Sequence, residues 1–200
     1  MILKIKPIIL AAGISVRFGE NKLLYEIDSK PMYRHILDIM YELYKDDKVL
    51  EPLTVINNEN IQSQLDDLNY KYVVNENSIN GLSTSIQKGL ENIQLDKETY
   101  VMFFTADQPF IKKESIEEFI DNFKSSKKPL GCVYYGEVSG NPCIFSKSYT
   151  DDLMKLQGDL GGKKVIHDHM NDVYFYNVST PLELEDIDTK NDLEEFKKFI

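Results

Sequence analysis

An α/β fold in three layers, with helices on both faces of a mostly parallel sheet, is predicted by two features of the hydrophobic pattern. Five short apolar runs, at residues 8–10, 53–56, 72–74, 100–104 and 131–135, are separated by segments whose apolar residues recur at helical spacing. The runs are nearly continuous instead of alternating, as in strands buried on both faces. At 200 residues the chain suffices for one substantial core, so a single domain over 1–200 is expected.

The elements follow in order. Ile8, Ile9 and Leu10 form a buried first strand that runs directly into small residues. Pro31, pre-set for the first turn of a helix, opens residues 31–44, where Met32, Ile36, Ile39, Met40 and Leu43 share one face. Further helices are expected at 59–68, 83–93 and 114–123, between the strands, with 124–129 as a surface loop. A closing helix at 189–199 has Thr189 as its N-cap, Asp192 in the first turn, and Lys197 and Lys198 in the last, matching the helix dipole at both ends.

Acidic residues outnumber basic ones by 33 to 23, which gives a formal charge of −10 and argues against a nucleic-acid partner with a broad basic footprint. A polyphosphate ligand would need a local basic site, and a divalent metal could bridge its oxygens to carboxylates. No run approaches the roughly 20 apolar residues that cross a bilayer. The N-terminus lacks a charged region, apolar core and cleavage site, so a cytoplasmic chain with no membrane partner is expected. Cys132 and Cys143 lack CxxC spacing and sit among apolar residues, as reduced core thiols do. His167 and His169 flank Asp168, but no third or fourth ligand stands at recognised spacing.

The chemistry concentrates in loops that follow strands, where open α/β sheets bind ligands. After Leu10 come Ala11, Ala12 and Gly13, small enough for the backbone to approach a nucleotide and aim N–H groups at phosphate. Arg17 then offers a planar fork and Lys22 a compact point charge. The loop has neither the Gly-Lys-Ser/Thr ending of a P-loop nor GxGxxG spacing. The run at 100–104 ends in Thr105-Ala106-Asp107-Gln108-Pro109; Pro109 restrains Gln108, so Asp107 is held either as a metal ligand or as the cap of a turn. Gly81, Leu82, Ser83, Thr84 and Ser85 form a hydroxyl-rich helix start that suits ribose, base or phosphate, or plain capping by Ser83. Asp186 and Asp188, two apart in an extended segment, share a face, and either could be a second magnesium ligand opposite Asp107. Gly140-Asn141-Pro142 and residues 158–163, which include Asp159, read as loops that could approach a bulky ligand.

In this order, Leu10-Ala11-Ala12-Gly13 through Arg17, Gly19 and Lys22, then Gly81 to Ser85, Asp107-Gln108-Pro109, Gly140-Asn141-Pro142, Gly158-Asp159-Leu160-Gly161 and Asp186-Ile187-Asp188-Thr189, the chain resembles the molybdenum cofactor cytidylyltransferases. These belong to a wider group of Rossmann-like nucleotidyltransferases. The resemblance implies that fold, and transfer of CMP from CTP to the terminal phosphate of molybdopterin with release of pyrophosphate. It implies magnesium as cofactor, CTP and the molybdenum cofactor as partners, and a molybdenum hydroxylase as client. On the same resemblance Leu10, Ala11, Ala12 and Gly13 cradle the nucleotide, Arg17 and Lys22 hold the triphosphate, and Gly81, Leu82, Ser83 and Ser85 border the nucleoside. Asp107 binds the metal with Asp188, Asp186 standing in reserve, and Asn141 and Asp159 face the pterin.

Ala12 follows the pattern of the cytidine enzymes, since guanine-specific relatives usually carry a second glycine there. Asn141 replaces a histidine common in its loop, and Gly162-Lys163 replaces an Ala-Arg pair; both departures fall on the acceptor side. The attacking phosphate is already anionic near neutral pH, so no Ser–His pair is needed, and Arg17, Lys22 and Asp107 with its metal would act by alignment and charge neutralisation. Other readings are a GTP-using guanylyltransferase, a sugar- or polyol-phosphate nucleotidyltransferase, and a regulatory or carrier module that binds nucleotide without turnover.

Overall fold

The computed structural model describes residues 3–15 and 18–196. Its centre is strand β1 (Lys4–Ala11), which pairs in parallel with β4 (Leu53–Ile56) on one side and β6 (Thr99–Thr105) on the other. A strand with parallel neighbours on both sides must be apolar on both faces, and every residue from Pro7 to Ala11 is buried. A two-stranded hairpin of β2 (Glu26–Ile27) and β3 (Lys30–Pro31) stands apart from the main sheet.

The main sheet continues through β5 (Tyr72–Val74), β7 (Leu130–Tyr135), β8 (Val138–Phe145) and β9 (Val173–Asn177), in the order β5-β4-β1-β6-β8-β7-β9. β8 runs antiparallel to both its neighbours; the other described pairs of this sheet are parallel. The fold is thus the expected three-layer α/β sandwich with a mostly parallel sheet.

Alternation along β1 divides the core in two. Ile5, Ile9 and Ala11 face one cluster, with α1 (Met32–Lys45), α2 (Glu59–Asp67), α4 (Lys113–Ser126) and α7 (Lys190–Phe196) on that side. Ile8 and Leu10 face the other, covered by α3 (Leu82–Glu91), α5 (Thr150–Met154) and α6 (Gly162–Asp168). Gly89 lets α3 lie close to the sheet, since a Cβ there would come within 2.9 Å of the Ile8 side chain. Among the described residues no helix is long and apolar enough to cross a membrane.

Several local expectations are corrected. Gly140, Asn141 and Pro142 belong to β8, not to a loop, because Cys143, Ile144 and Phe145 carry the strand into register with β6 and β7. Between the pairs Cys132↔Cys143 and Tyr134↔Ser139, these three residues stand opposite the single Val133, so Pro142 falls at an irregularity where proline is tolerated. Gly162 and Lys163 open α6. Lys124, Ser125 and Ser126 extend α4, which ends at Lys127 in a left-handed conformation, φ 57°. At α7 the Thr189 hydroxyl does accept from Asp192 N, at 3.2 Å, while Lys197 and Lys198 lie outside the described residues.

The α4 face depends on Phe119, which is fully buried, stacks on Tyr176 with ring centres 5.7 Å apart, and meets Phe123 edge-on. Phe119→Ala is therefore expected to cost about 3–5 kcal/mol of stability. The urea midpoint checks this, and an unchanged midpoint would show that α4 contributes little to the core.

Candidate active site

The site forms where β1 and β6 end side by side, tied together by Ala106 N donating to Leu10 O at 3.1 Å. Asn21 caps a short 3-10 turn at Lys22–Leu24 by accepting from Leu23 N, and Lys22 N donates to Ser15 Oγ. These bonds turn the Lys22 side chain inward, so that only 8% of the residue is exposed. Its ammonium donates to Asp107 Oδ2 at 2.8 Å and to Asp188 Oδ1 at 2.9 Å.

Asp107 follows β6, and its own backbone fixes the second acid, since Ile187 N donates to Asp107 O at 2.9 Å. Asp192 Oδ2 in turn accepts from the N–H groups of Asp188 and Thr189. Gln108, buried beside Asp107, donates to Leu184 O and secures the same segment. Lys22, Asp107 and Asp188 therefore converge as the sequence predicts.

Burial alone would favour a neutral Lys22 amine, but the charge and hydrogen bond of Asp107, joined by those of Asp188, hold its pKa above the ordinary lysine value. The ammonium is fixed. Asp186 responds in the opposite way: burial first, then the Asp107 charge, push its carboxyl up to about 6, against the pull of Lys163, Gln108 and Lys22. Asp107 Oδ1 is buried without a hydrogen-bond partner among the described residues. An orphaned carboxylate oxygen next to a second carboxylate suits a hard divalent cation, and magnesium commonly takes one or two carboxylates plus substrate phosphates. The residues fit the metal.

Two cavities meet beside this cluster. The first, about 350 Å³, is lined by Leu10, Ala12, Gly13, Gly81, Leu82 and Ser85, expected on the nucleotide side, and by Asp107, expected to bind the metal. The second, about 500 Å³, is lined by Asn141 and Asp159, expected on the acceptor side, and by Lys163. Leu10, Leu82, Thr105 and Asp159 border both. Gly81 holds the two together: at φ 101° it lies so close to the next loop that a Cβ would fall 2.3 Å from Gly158 C.

Ala11, Ser83 and Lys22, expected against the nucleotide, do not line these two cavities. Ala11 is the last residue of β1, fully buried and paired with Ile56, because the strand runs one residue further than the apolar run suggests. Ser83 is buried too, and its N–H donates to Gly158 O at 3.0 Å. Arg17 lies outside the described residues. Sequence reasoning missed Thr105, whose buried hydroxyl oxygen is unpartnered among the described residues at the junction of the cavities; its position ending the 100–104 run was the available signal. It also missed Asn57, which follows β4 and donates to Ala12 O and Ser78 Oγ, fixing the loop from behind.

Residues 7–173 match the family of MobA-like NTP transferase domains. The chain belongs to this family. It is similar to a probable molybdenum cofactor guanylyltransferase of Thermococcus kodakarensis, 30% identical over 72% of this chain and 68% of the relative. A second protein of that description, from Aquifex aeolicus, is 28% identical over 92% of this chain and 86% of its own. Among solved structures, a nucleotidyl transferase from Methanothermobacter superposes with a TM-score of 0.80 at 17% identity, covering 98% of this chain and 97% of the other. As a MobA-like NTP transferase the chain is a nucleotidyltransferase, and its fold is the Rossmann-like one of that group.

The raised Asp186 pKa has a defined pH signature. The folded chain holds a proton on Asp186 that the unfolded chain has released between about 4 and about 6, so this group's contribution to stability falls as pH rises through that window. A carboxyl NMR titration should place Asp186 near 6, and Asp107→Asn should bring it back toward the ordinary range. An Asp186 titration unmoved by Asp107→Asn would remove the charge coupling between them.

Proposed function

We propose that this MobA-like NTP transferase moves a nucleoside monophosphate from a nucleoside triphosphate to the terminal phosphate of molybdopterin, with GTP as the nucleotide. The observation that carries the transfer is the Lys22 ammonium held between Asp107 and Asp188 beside a cavity that shares a wall with a second one. The description of the Thermococcus and Aquifex relatives as guanylyltransferases supports both the acceptor and the base. A second reading, CTP in place of GTP, is favoured by Ala12, which lines the nucleotide cavity where guanine-specific enzymes usually carry glycine.

In the reaction a phosphate oxygen of the acceptor attacks the α-phosphorus, the bond to the bridging oxygen breaks, and pyrophosphate leaves with the electron pair. The attacking oxygen needs no deprotonation. The chain's work is alignment and charge: Gly13 and Ala12 allow close backbone approach, Lys22 supplies a fixed positive charge, and Asn141, Asp159 and Lys163 border the space for the acceptor. Asp107 and Asp188 would hold magnesium, which when bound neutralises phosphate charge.

Pyrophosphate release measured with GTP, CTP and ATP, magnesium, and either molybdenum-loaded pterin cofactor or sugar phosphates tests this reading. Release with GTP and the pterin cofactor supports it; preference for CTP selects the second reading, and release only with sugar phosphates overturns both. Lys22→Ala and Asp107→Ala should each lower turnover about a hundredfold or more in a folded protein. Near-normal turnover by Asp107→Ala would refute its metal role.

A further inference from the structure

The two cysteines are neighbours in space. Cys132 on β7 and Cys143 on β8 are register partners, both fully buried and both free thiols, and the Cys143 thiol donates to Cys132 Sγ at 3.5 Å. Paired residues on antiparallel strands have Cα atoms roughly 4.5–5.5 Å apart, inside the range of about 4.4–6.8 Å that a disulfide spans. Closing the bond would need the sulfurs to approach to about 2.05 Å, a side-chain movement within one pair of strands.

The thiols are not equivalent. The hydrogen bond from Cys143, helped by the positive charge of Lys163, holds the Cys132 thiol below its usual pKa despite burial. The same hydrogen bond, together with burial, pushes Cys143 well up. Of the two thiols, Cys132 is therefore the more readily deprotonated. Cys143 lines the 500 Å³ cavity on the acceptor side, and Cys132 Sγ lies 3.5 Å from its sulfur.

We propose that Cys132 and Cys143 form a thiol-oxidation site, where hydrogen peroxide entering through the acceptor-side cavity converts the two thiols into one cross-strand disulfide. The Cys132 sulfur, on losing its proton, attacks a peroxide oxygen; the O–O bond breaks, hydroxide leaves and takes up that proton as water, and Cys132 becomes a sulfenic acid. Cys143 sulfur then attacks Cys132 sulfur and displaces hydroxide, which leaves as water with the Cys143 proton. Two thiols are oxidised, one peroxide is reduced, and two waters form. A dithiol reductant reverses the bond by exchange. Because Ser139 and Asn141 on the same strand also line that cavity, drawing Cys143 toward β7 reshapes its wall. The effect on acceptor turnover rests on the proposed acceptor role of that cavity, whereas disulfide formation does not.

The test treats the folded full chain with stoichiometric hydrogen peroxide and reads thiols after denaturation, intact mass and a non-reducing peptide map. Loss of both thiols, a mass lower by two hydrogens, a crosslink between the peptides bearing Cys132 and Cys143, and recovery with dithiothreitol are expected. Cys143→Ser should leave Cys132 as a sulfenic acid that dimedone labels, and Cys132→Ser should give no crosslink. Survival of both thiols, oxidation of one without a crosslink, or a bond between chains overturns the site. In the oxidised chain, GTP or CTP binding should persist while acceptor-dependent pyrophosphate release is lost. Unchanged turnover by the disulfide form would overturn the link to the acceptor wall.

Discussion

A buried ammonium held between two carboxylates from distant parts of the chain is the constraint on which the site depends. Lys22 stands 85 residues before Asp107 and 166 before Asp188, so the pair of ion pairs closes two large loops at one point. Without that charge the two acids would face each other across a poorly solvated space, where like charges repel more strongly than in water. The N–H groups of Ile187, bonded to Asp107 O, and of Asp188 and Thr189, bonded to the Asp192 carboxylate, hold the acids in place. The same side chains that neutralise each other here are those proposed to engage a polyphosphate and its metal.

The sheet explains why such distant segments meet. Parallel strands linked by crossover helices bring the ends of β1, β4 and β6 to one edge, which delivers Gly13, Asn57 and Asp107 together. β8 reaches the same edge from the opposite direction. Because Val101 pairs with Phe145 and Phe103 with Cys143, the earlier residues of β8 project beyond the end of β6, and Asn141 arrives beside Thr105. One reversed strand thus supplies the proposed acceptor side of a cleft whose proposed nucleotide side comes from parallel ones.

This division also separates what the sequence made legible from what it did not. Strands 53–56 and 72–74 have the predicted bounds; Lys22 and Asp107 were legible in loops that follow strands, while the choice of Asp188 over Asp186 came from the family resemblance. β8 was hidden because Gly140 and Pro142 are turn residues locally, and only pairing with β6 and β7 makes them part of a strand. β9 carries Val173, Tyr174, Phe175 and Tyr176, a β-favouring run whose half-exposed tyrosines gave no clean alternation. Period two put Asp186 and Asp188 on one face, but it could not say which would meet Lys22; that choice is made by the hydrogen bond anchoring Ile187 between them.

The two halves of the cleft are also mechanically joined. Gly81 begins the helix on the nucleotide side, and its missing side chain is what lets the Gly158 backbone lie against it. Ser83 N bonds Gly158 O across the same contact, and Asp159, the next residue, borders both cavities. Transfer between two bound phosphates gains most when both are held in line, since fixed orientation removes a large part of the entropic barrier. A backbone contact too close for any side chain ties the walls more stiffly than a pair of flexible side chains could. In the proposed transfer, the glycines at 81 and 158 would thus serve the alignment of two substrates as well as the turning of two loops.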